Sequence, residues 1–102
     1  MDVGLESIPF KFEPGFTPGL GILSYPEQAA IAEPMLQQDP RFVFYALRVV
    51  NDELWNSIDG EKNVEEIANA LCFQFGFELD PELFIPLFEG LLREGLIGLE
   101  TE

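Results

Sequence analysis

The rhythm of apolar and polar positions is clearest in the second half of the chain. Val64, Ile67, Ala68, Leu71, Cys72 and Phe75 recur at i, i+3, i+4, i+7, i+8 and i+11, which is one face of a helix. Asn63 followed by Glu66 is a capping-box-like start, with Asn in place of Ser or Thr, and Gly76 ends the run. A later stripe, Leu83, Phe84, Leu87, Phe88, Leu91 and Leu92, opens on Asp80-Pro81 and stops at Gly95. Aspartate caps and proline suits the first helical position, so this pair predicts a helix start. Pro86 interrupts that stripe. A proline in a regular helix interior costs roughly 3 kcal/mol, so the helix either kinks there, or a first turn from Pro81 is followed by a restart at Pro86. Gly90, on the same helix, suits close packing against another backbone; the competing use is room for a ligand chain. Upstream, Asn51 can cap a helix with Asp52 and Glu53 in its first turn, Val50, Leu54, Trp55 and Ile58 as its apolar stripe, and Asp59-Gly60 as its stop. Leu96-Ile97-Gly98-Leu99 is a short apolar tail suited to a docking strand.

The first half reads differently. Residues 1–40 hold six of the eight prolines and are turn-rich, and they are set apart here as an N-terminal extension to a domain over 41–102. Ile8-Pro9-Phe10-Lys11-Phe12 alternates like a short strand, which Pro9 restricts to an edge. Gly21–Tyr25 is a weaker strand candidate, and Pro26–Gln38 has the content of a short helix that Pro34 should break or kink. Arg41–Val50 is the best strand: aromatic and β-branched residues dominate and neither Gly nor Pro interrupts. Phe42, Phe44 and Ala46 lie on one face and Val43, Tyr45, Leu47 and Val49 on the other, so the strand is covered on both faces or meets a partner on one. The expected class is α+β, with short strands packed beside three helices.

Composition narrows the function. A chain of 102 residues with 47% apolar content fits one domain with a packed core. Five Lys and Arg against 19 Asp and Glu give a net charge of −14. That opposes nucleic acid, whose general affinity comes from basic residues neutralising phosphates, and it opposes an anionic membrane surface. With one cysteine and no histidine, neither an internal disulfide nor a thiolate zinc cage is available, and most Ser-His and Cys-His nucleophile schemes fall away. No apolar run reaches the ~18 residues of a membrane span, and the acidic start has no signal-peptide character, so the expected compartment is the cytoplasm.

Catalytic constellations are equally scarce. Glu65 and Glu66 lie opposite an apolar stripe, as a solvated face would. Asp2, Glu6 and Glu13 lack the Asp-x-Asp-x-Asp-Gly loop of a calcium site, and no glycine-rich phosphate cradle is present. Cys72 falls on an apolar face with no cation nearby in sequence, which predicts a buried, inert thiol. The chain is therefore read as a non-enzyme without metal or cofactor. Aromatic residues are its asset, at 13%. The core should claim most of them, yet a core this small cannot easily hide Phe42, Phe44, Tyr45, Phe73, Phe75, Phe77, Phe84 and Phe88 together, so some should line a groove or an oligomer contact.

The run Val50-Asn51-Asp52-Glu53-Leu54-Trp55, the Asp59-Gly60 stop and the Val64-x-x-Ile67 helix resemble the core signature of the PqqD-like family. Asp80, Phe84, Leu87, Leu91, Leu92 and Gly95-Leu96-Ile97 resemble its third helix and terminal Gly-Leu-Ile, so the likeness covers about residues 42–99. The resemblance implies a small winged-helix-like fold. It also implies a peptide-recognition element that binds the leader of a ribosomally made precursor peptide and presents it to a maturation enzyme, often a radical-SAM enzyme. In that family the leader adds as a strand to the sheet, in a cleft shared with the third helix. The matching positions are Phe42, Phe44, Tyr45, Ala46 and Arg48 on the strand and Phe84, Leu87, Phe88 and Leu91 on the helix. The physics suits these residues, because an edge strand offers unpaired N–H and C=O groups to an extended peptide. The acidic balance favours a leader carrying Lys or Arg. The alternative is a structural or regulatory adaptor that binds a protein partner, or a second copy as a homodimer, through the same surface. A winged-helix DNA binder is disfavoured, since the third helix carries Arg93 against Glu82, Glu89 and Glu94.

Overall fold

A computed structural model of the chain describes residues 3–16, 25–38, 41 and 52–100. Among them the architecture is α+β, with four α-helices, one 3₁₀ turn and a two-stranded antiparallel sheet. In chain order these are β1 (Ile8–Lys11), α1 (Tyr25–Gln38), α2 (Leu54–Asn56), α3 (Val64–Phe75), the 3₁₀ turn Pro81–Phe84, α4 (Ile85–Arg93) and β2 (Ile97–Glu100).

Helix α3 starts where its cap residues dictate. The Asn63 side chain accepts from the Glu66 N–H at 2.8 Å, and the Glu66 carboxylate accepts from the Asn63 N–H at 3.0 Å, so the capping box is complete. The two remaining N–H groups of the first turn reach outside the helix: Val64 donates to the Ser7 carbonyl at 3.0 Å and Glu65 to the Leu5 carbonyl at 3.1 Å. The segment before β1 thereby satisfies donors that the helix cannot. Gly76 closes α3 at φ 78°, a left-handed conformation that costs glycine no Cβ clash.

Pro86 restarts a helix. Asp80 accepts from the Glu82 N–H at 3.0 Å and opens the 3₁₀ turn. Helix α4 begins at Ile85, so Pro86 stands in its first turn, where a missing N–H leaves no intrahelical bond unmade. Glycine again ends the helix: Gly95, at φ 75°, donates to the Leu92 carbonyl and Leu96 to the Leu91 carbonyl, each at 3.1 Å. This pair of bonds is the Schellman motif, and it delivers the chain into β2.

Strand β2 pairs with β1 in the register Ile8–Glu100, Pro9–Leu99, Phe10–Gly98 and Lys11–Ile97. The docking strand expected of the tail is thus the partner of the strand expected near Pro9. Pro9 and Ile97 turn into the core. On the opposite face Phe10 and Phe12 meet edge to face, ring centres 5.3 Å apart, above Gly98. A Cβ on Gly98 would come to 2.5 Å from the Phe10 ring, so any larger residue there would push the Phe10 and Phe12 rings aside.

The core joins both halves of the sequence. Val3 and Met35 are buried in the same cluster as Leu54, Trp55, Ile67, Leu71 and Phe84. Helix α1 packs on α4 and on the 3₁₀ turn. The Gln38 side chain both donates to the Glu78 carbonyl, at 3.0 Å, and accepts from the Glu78 N–H, at 3.3 Å. The described parts of residues 1–40 are thus built into the core that 52–100 supply.

Several expectations need adjusting. Helix α1 runs through Pro34 and begins at Tyr25, the last residue of the second strand candidate, whose other residues lie outside the described set. Helix α2 is a single turn and shorter than its apolar stripe suggests; its expected cap, Asn51, lies outside the described residues. The surplus of aromatics does leave Phe73 outside the core: it is 91% exposed on α3, because it sits beside Asn69 and Ala70 on the face turned away from the Ile67–Leu71 stripe.

Candidate functional site

The expected groove had two walls. The strand wall, with Phe42, Phe44, Tyr45, Ala46 and Arg48, lies outside the described residues. The helix wall is described, and its residues are core. Phe84, Leu87 and Phe88 have no exposed surface and Leu91 has 3%. They share one cluster with Leu54, Val64, Ile67, Leu71 and Met35. As the domain stands, this face offers a guest no surface. The resemblance implies a groove wall here, whereas the spacing by itself specifies only an apolar helix face, which the fold turns inward. Gly90, in the same helix, is buried too.

Open surfaces lie elsewhere. Among the described residues the exposed large apolar side chains are Phe12, Phe16, Leu36 and Phe73. Two of these, Phe12 and Phe16, line a cleft of about 100 Å³ together with Glu13, Trp55, Gly95 and Leu96. Local geometry builds it. The Phe12 N–H donates to the Leu96 carbonyl at 3.3 Å and carries the β1–β2 ribbon one residue further. The chain then turns at Glu13-Pro14-Gly15-Phe16, where the Phe16 N–H donates to the Glu13 carbonyl at 3.0 Å. Proline and glycine at the centre of such a turn are its usual chemistry. The turn returns Phe16 to the side of Phe12. Trp55, 2% exposed, comes from α2. This site was missed in the sequence, although two phenylalanines flanking Glu-Pro-Gly were its signal.

At the other end of the ribbon lies a broad, open concavity of about 850 Å³, lined by Glu6, Ser7, Ile8, Glu61, Asn63, Glu66 and Glu100. Among the described lining residues four are glutamates and none is basic. Glu66 is already engaged in the capping box of α3.

Asp59, Lys11 and Cys72 are shifted from their ordinary pKa values, each for a structural reason. Asp59 Oδ1 accepts from the Glu61 N–H at 2.9 Å and the Lys62 N–H at 3.0 Å, and Oδ2 lies 3.3 Å from Lys62 Nζ. The backbone donors, that of Lys62 foremost, hold the Asp59 carboxyl down at about 2. Lys11 places its ammonium 5.0 Å from the centre of the Trp55 ring. Burial lowers the Lys11 pKa, and the negative charge of Asp59 pulls the other way. Burial pushes the Cys72 thiol up, against a backbone hydrogen bond from Leu79. A buried thiol so shifted is a weak nucleophile. No grouping of three His, Cys, Asp or Glu able to hold a metal ion occurs among the described residues, and no described helix is long and apolar enough to cross a membrane.

No family model, curated protein or solved structure matches this chain.

Proposed function

We propose that the protein is a non-catalytic peptide-binding module of winged-helix-like, PqqD-like type, working in the cytoplasm. It takes up the leader of a ribosomally made precursor by strand addition and presents it to a maturation enzyme, such as a radical-SAM enzyme. One observation carries the reading: the order of elements from Leu54 to Glu100. A short helix, an Asp-Gly stop, a capped helix, an Asp-Pro start, a second helix and a glycine-terminated entry into a strand follow one another as the resemblance implies. Phe84, Leu87, Phe88 and Leu91 serve the core, so they are not the surface that a guest would touch. Recognition then falls to the backbone edge and outward side chains of the apolar segment Phe42–Arg48.

The test is an NMR titration of isotope-labelled protein with synthetic peptides drawn from short reading frames beside its gene. Saturable shifts concentrated at residues 42–48 are expected for one of them. Flat titrations across the whole set overturn the reading. The adaptor alternative has its own support in Phe73, a phenylalanine 91% exposed on a helix. Light scattering separates the two, since a dimer that dissociates on Phe73→Ser favours the adaptor.

A further inference from the structure

We propose that Phe12, Phe16 and Trp55 form an aromatic cage that binds a quaternary ammonium group, with Glu13 as its countercharge. The proposal does not depend on the peptide-binding reading, since it concerns a different surface and a different ligand.

Size sets the first limit. At about 100 Å³ the cleft is well below the ~300–1,000 Å³ of a drug-sized site, and it suits one small head group. Lining chemistry sets the second. Among its described lining residues Phe12, Phe16 and Trp55 are aromatic, Leu96 is aliphatic and Glu13 is charged. The negative faces of aromatic rings attract cations, most strongly at tryptophan. Trp55, 2% exposed with the Lys11 ammonium 5.0 Å from its ring centre, forms the floor of the cleft, and the exposed rings of Phe12 and Phe16 supply the faces that a ligand would meet.

The sign of the ligand follows from charge. Glu13 lines the cleft and the chain carries −14, so a cation is drawn in and an anion repelled. Its degree of substitution follows from desolvation. A primary ammonium brings three N–H donors, and a mostly apolar cleft with one carboxylate leaves some of them unsatisfied. A trimethylammonium carries the same charge with no donor to satisfy. The backbone that carries these rings is held in place before any ligand arrives. Phe12 is tied to Leu96 through the backbone and braced by the Phe10 ring, Phe16 is fixed by its turn, and Trp55 is packed into the core.

Trp55 is the sole tryptophan, so its fluorescence reports on the cage directly. The full-length protein is titrated at constant ionic strength with tetramethylammonium chloride, choline, a peptide containing trimethyllysine, and 3,3-dimethylbutanol, the uncharged carbon analogue of choline. A saturable change with tetramethylammonium is expected, and choline should bind roughly tenfold tighter than the alcohol. The tighter of choline and the trimethyllysine peptide identifies the source of the head group. Phe12→Leu and Phe16→Leu keep apolar bulk at exposed positions and remove a π face. Each should weaken tetramethylammonium binding several-fold; Phe16→Leu should leave the thermal unfolding midpoint in place, whereas Phe12→Leu also gives up the edge contact with Phe10 and lowers it slightly. The proposal is overturned if no titration saturates, if the alcohol binds as tightly as choline, or if both leucine variants bind as the parent does.

Discussion

Asp59 shows how one side chain can organise a turn from the surface. Its carboxylate takes two backbone N–H groups and the Lys62 ammonium, and its pKa falls from 3.8 to about 2. A carboxyl whose folded pKa lies below its unfolded one stabilises the fold above the unfolded value. That contribution fades as the pH drops through the folded value. Asp59→Asn should therefore lower the thermal midpoint at neutral pH. The gap between variant and parent should close from about pH 4 to about pH 2. A gap of constant size across that interval would show that the charge of Asp59 does not matter. The two halves of the capping box, Asn63 and Glu66, were legible in the sequence for the same reason that Asp59 was: each acts on backbone atoms within three residues. The Phe16 N–H acts at similar range, on Glu13, but its side chain was not read as part of a site, because the residues beside it, Trp55 and Leu96, are distant in sequence.

Helix α4 depends on which of two roles Pro86 plays. At the start of a helix a proline sacrifices no hydrogen bond, whereas in the interior it removes one and clashes with the preceding turn. Since α4 begins at Ile85, Pro86→Ala should change unfolding free energy by less than about 1 kcal/mol in urea. Phe88→Ala, two residues on, should cost about 3–5 kcal/mol, because a ring with no exposed surface is removed from the core. A large loss from Pro86→Ala together with a small one from Phe88→Ala would reverse both assignments. The sequence left a kink and a restart equally open here. Which of them occurs depends on the fit of the Pro81–Phe84 turn against α1 and α3, and periodicity carries no information about that fit.

The assembled molecule is strongly acidic, and its compact state brings like charges together. With −14 on 102 residues, self-repulsion opposes folding. Raising sodium chloride from roughly 0.01 M to roughly 0.5 M shortens the Debye length from about 30 Å to less than 10 Å. The urea midpoint should rise over that range, and urea is the denaturant to use because it adds no ions. A midpoint indifferent to salt would mean that the carboxylates are spread widely enough to ignore one another. The concavity at Glu6, Glu61, Glu66 and Glu100 gathers four of these carboxylates along one surface.

Local chemistry, then, was written into the chain. Capping side chains, glycines at left-handed positions, proline at a helix start and the spacing of apolar residues each act within a turn or two, so α3, the Asp80 start, the Gly95 stop and both short strands follow from neighbours in sequence. What faces an apolar stripe is a matter of contacts between segments far apart, and only the folded chain decides it. The tertiary structure sent Phe84, Leu87 and Phe88 inward, left Phe73 in solvent, paired β1 with β2 across almost the whole chain, and brought Phe12 and Phe16 beside Trp55. The physical reason is that burial is a property of pairs of surfaces, and a sequence pattern specifies one surface at a time.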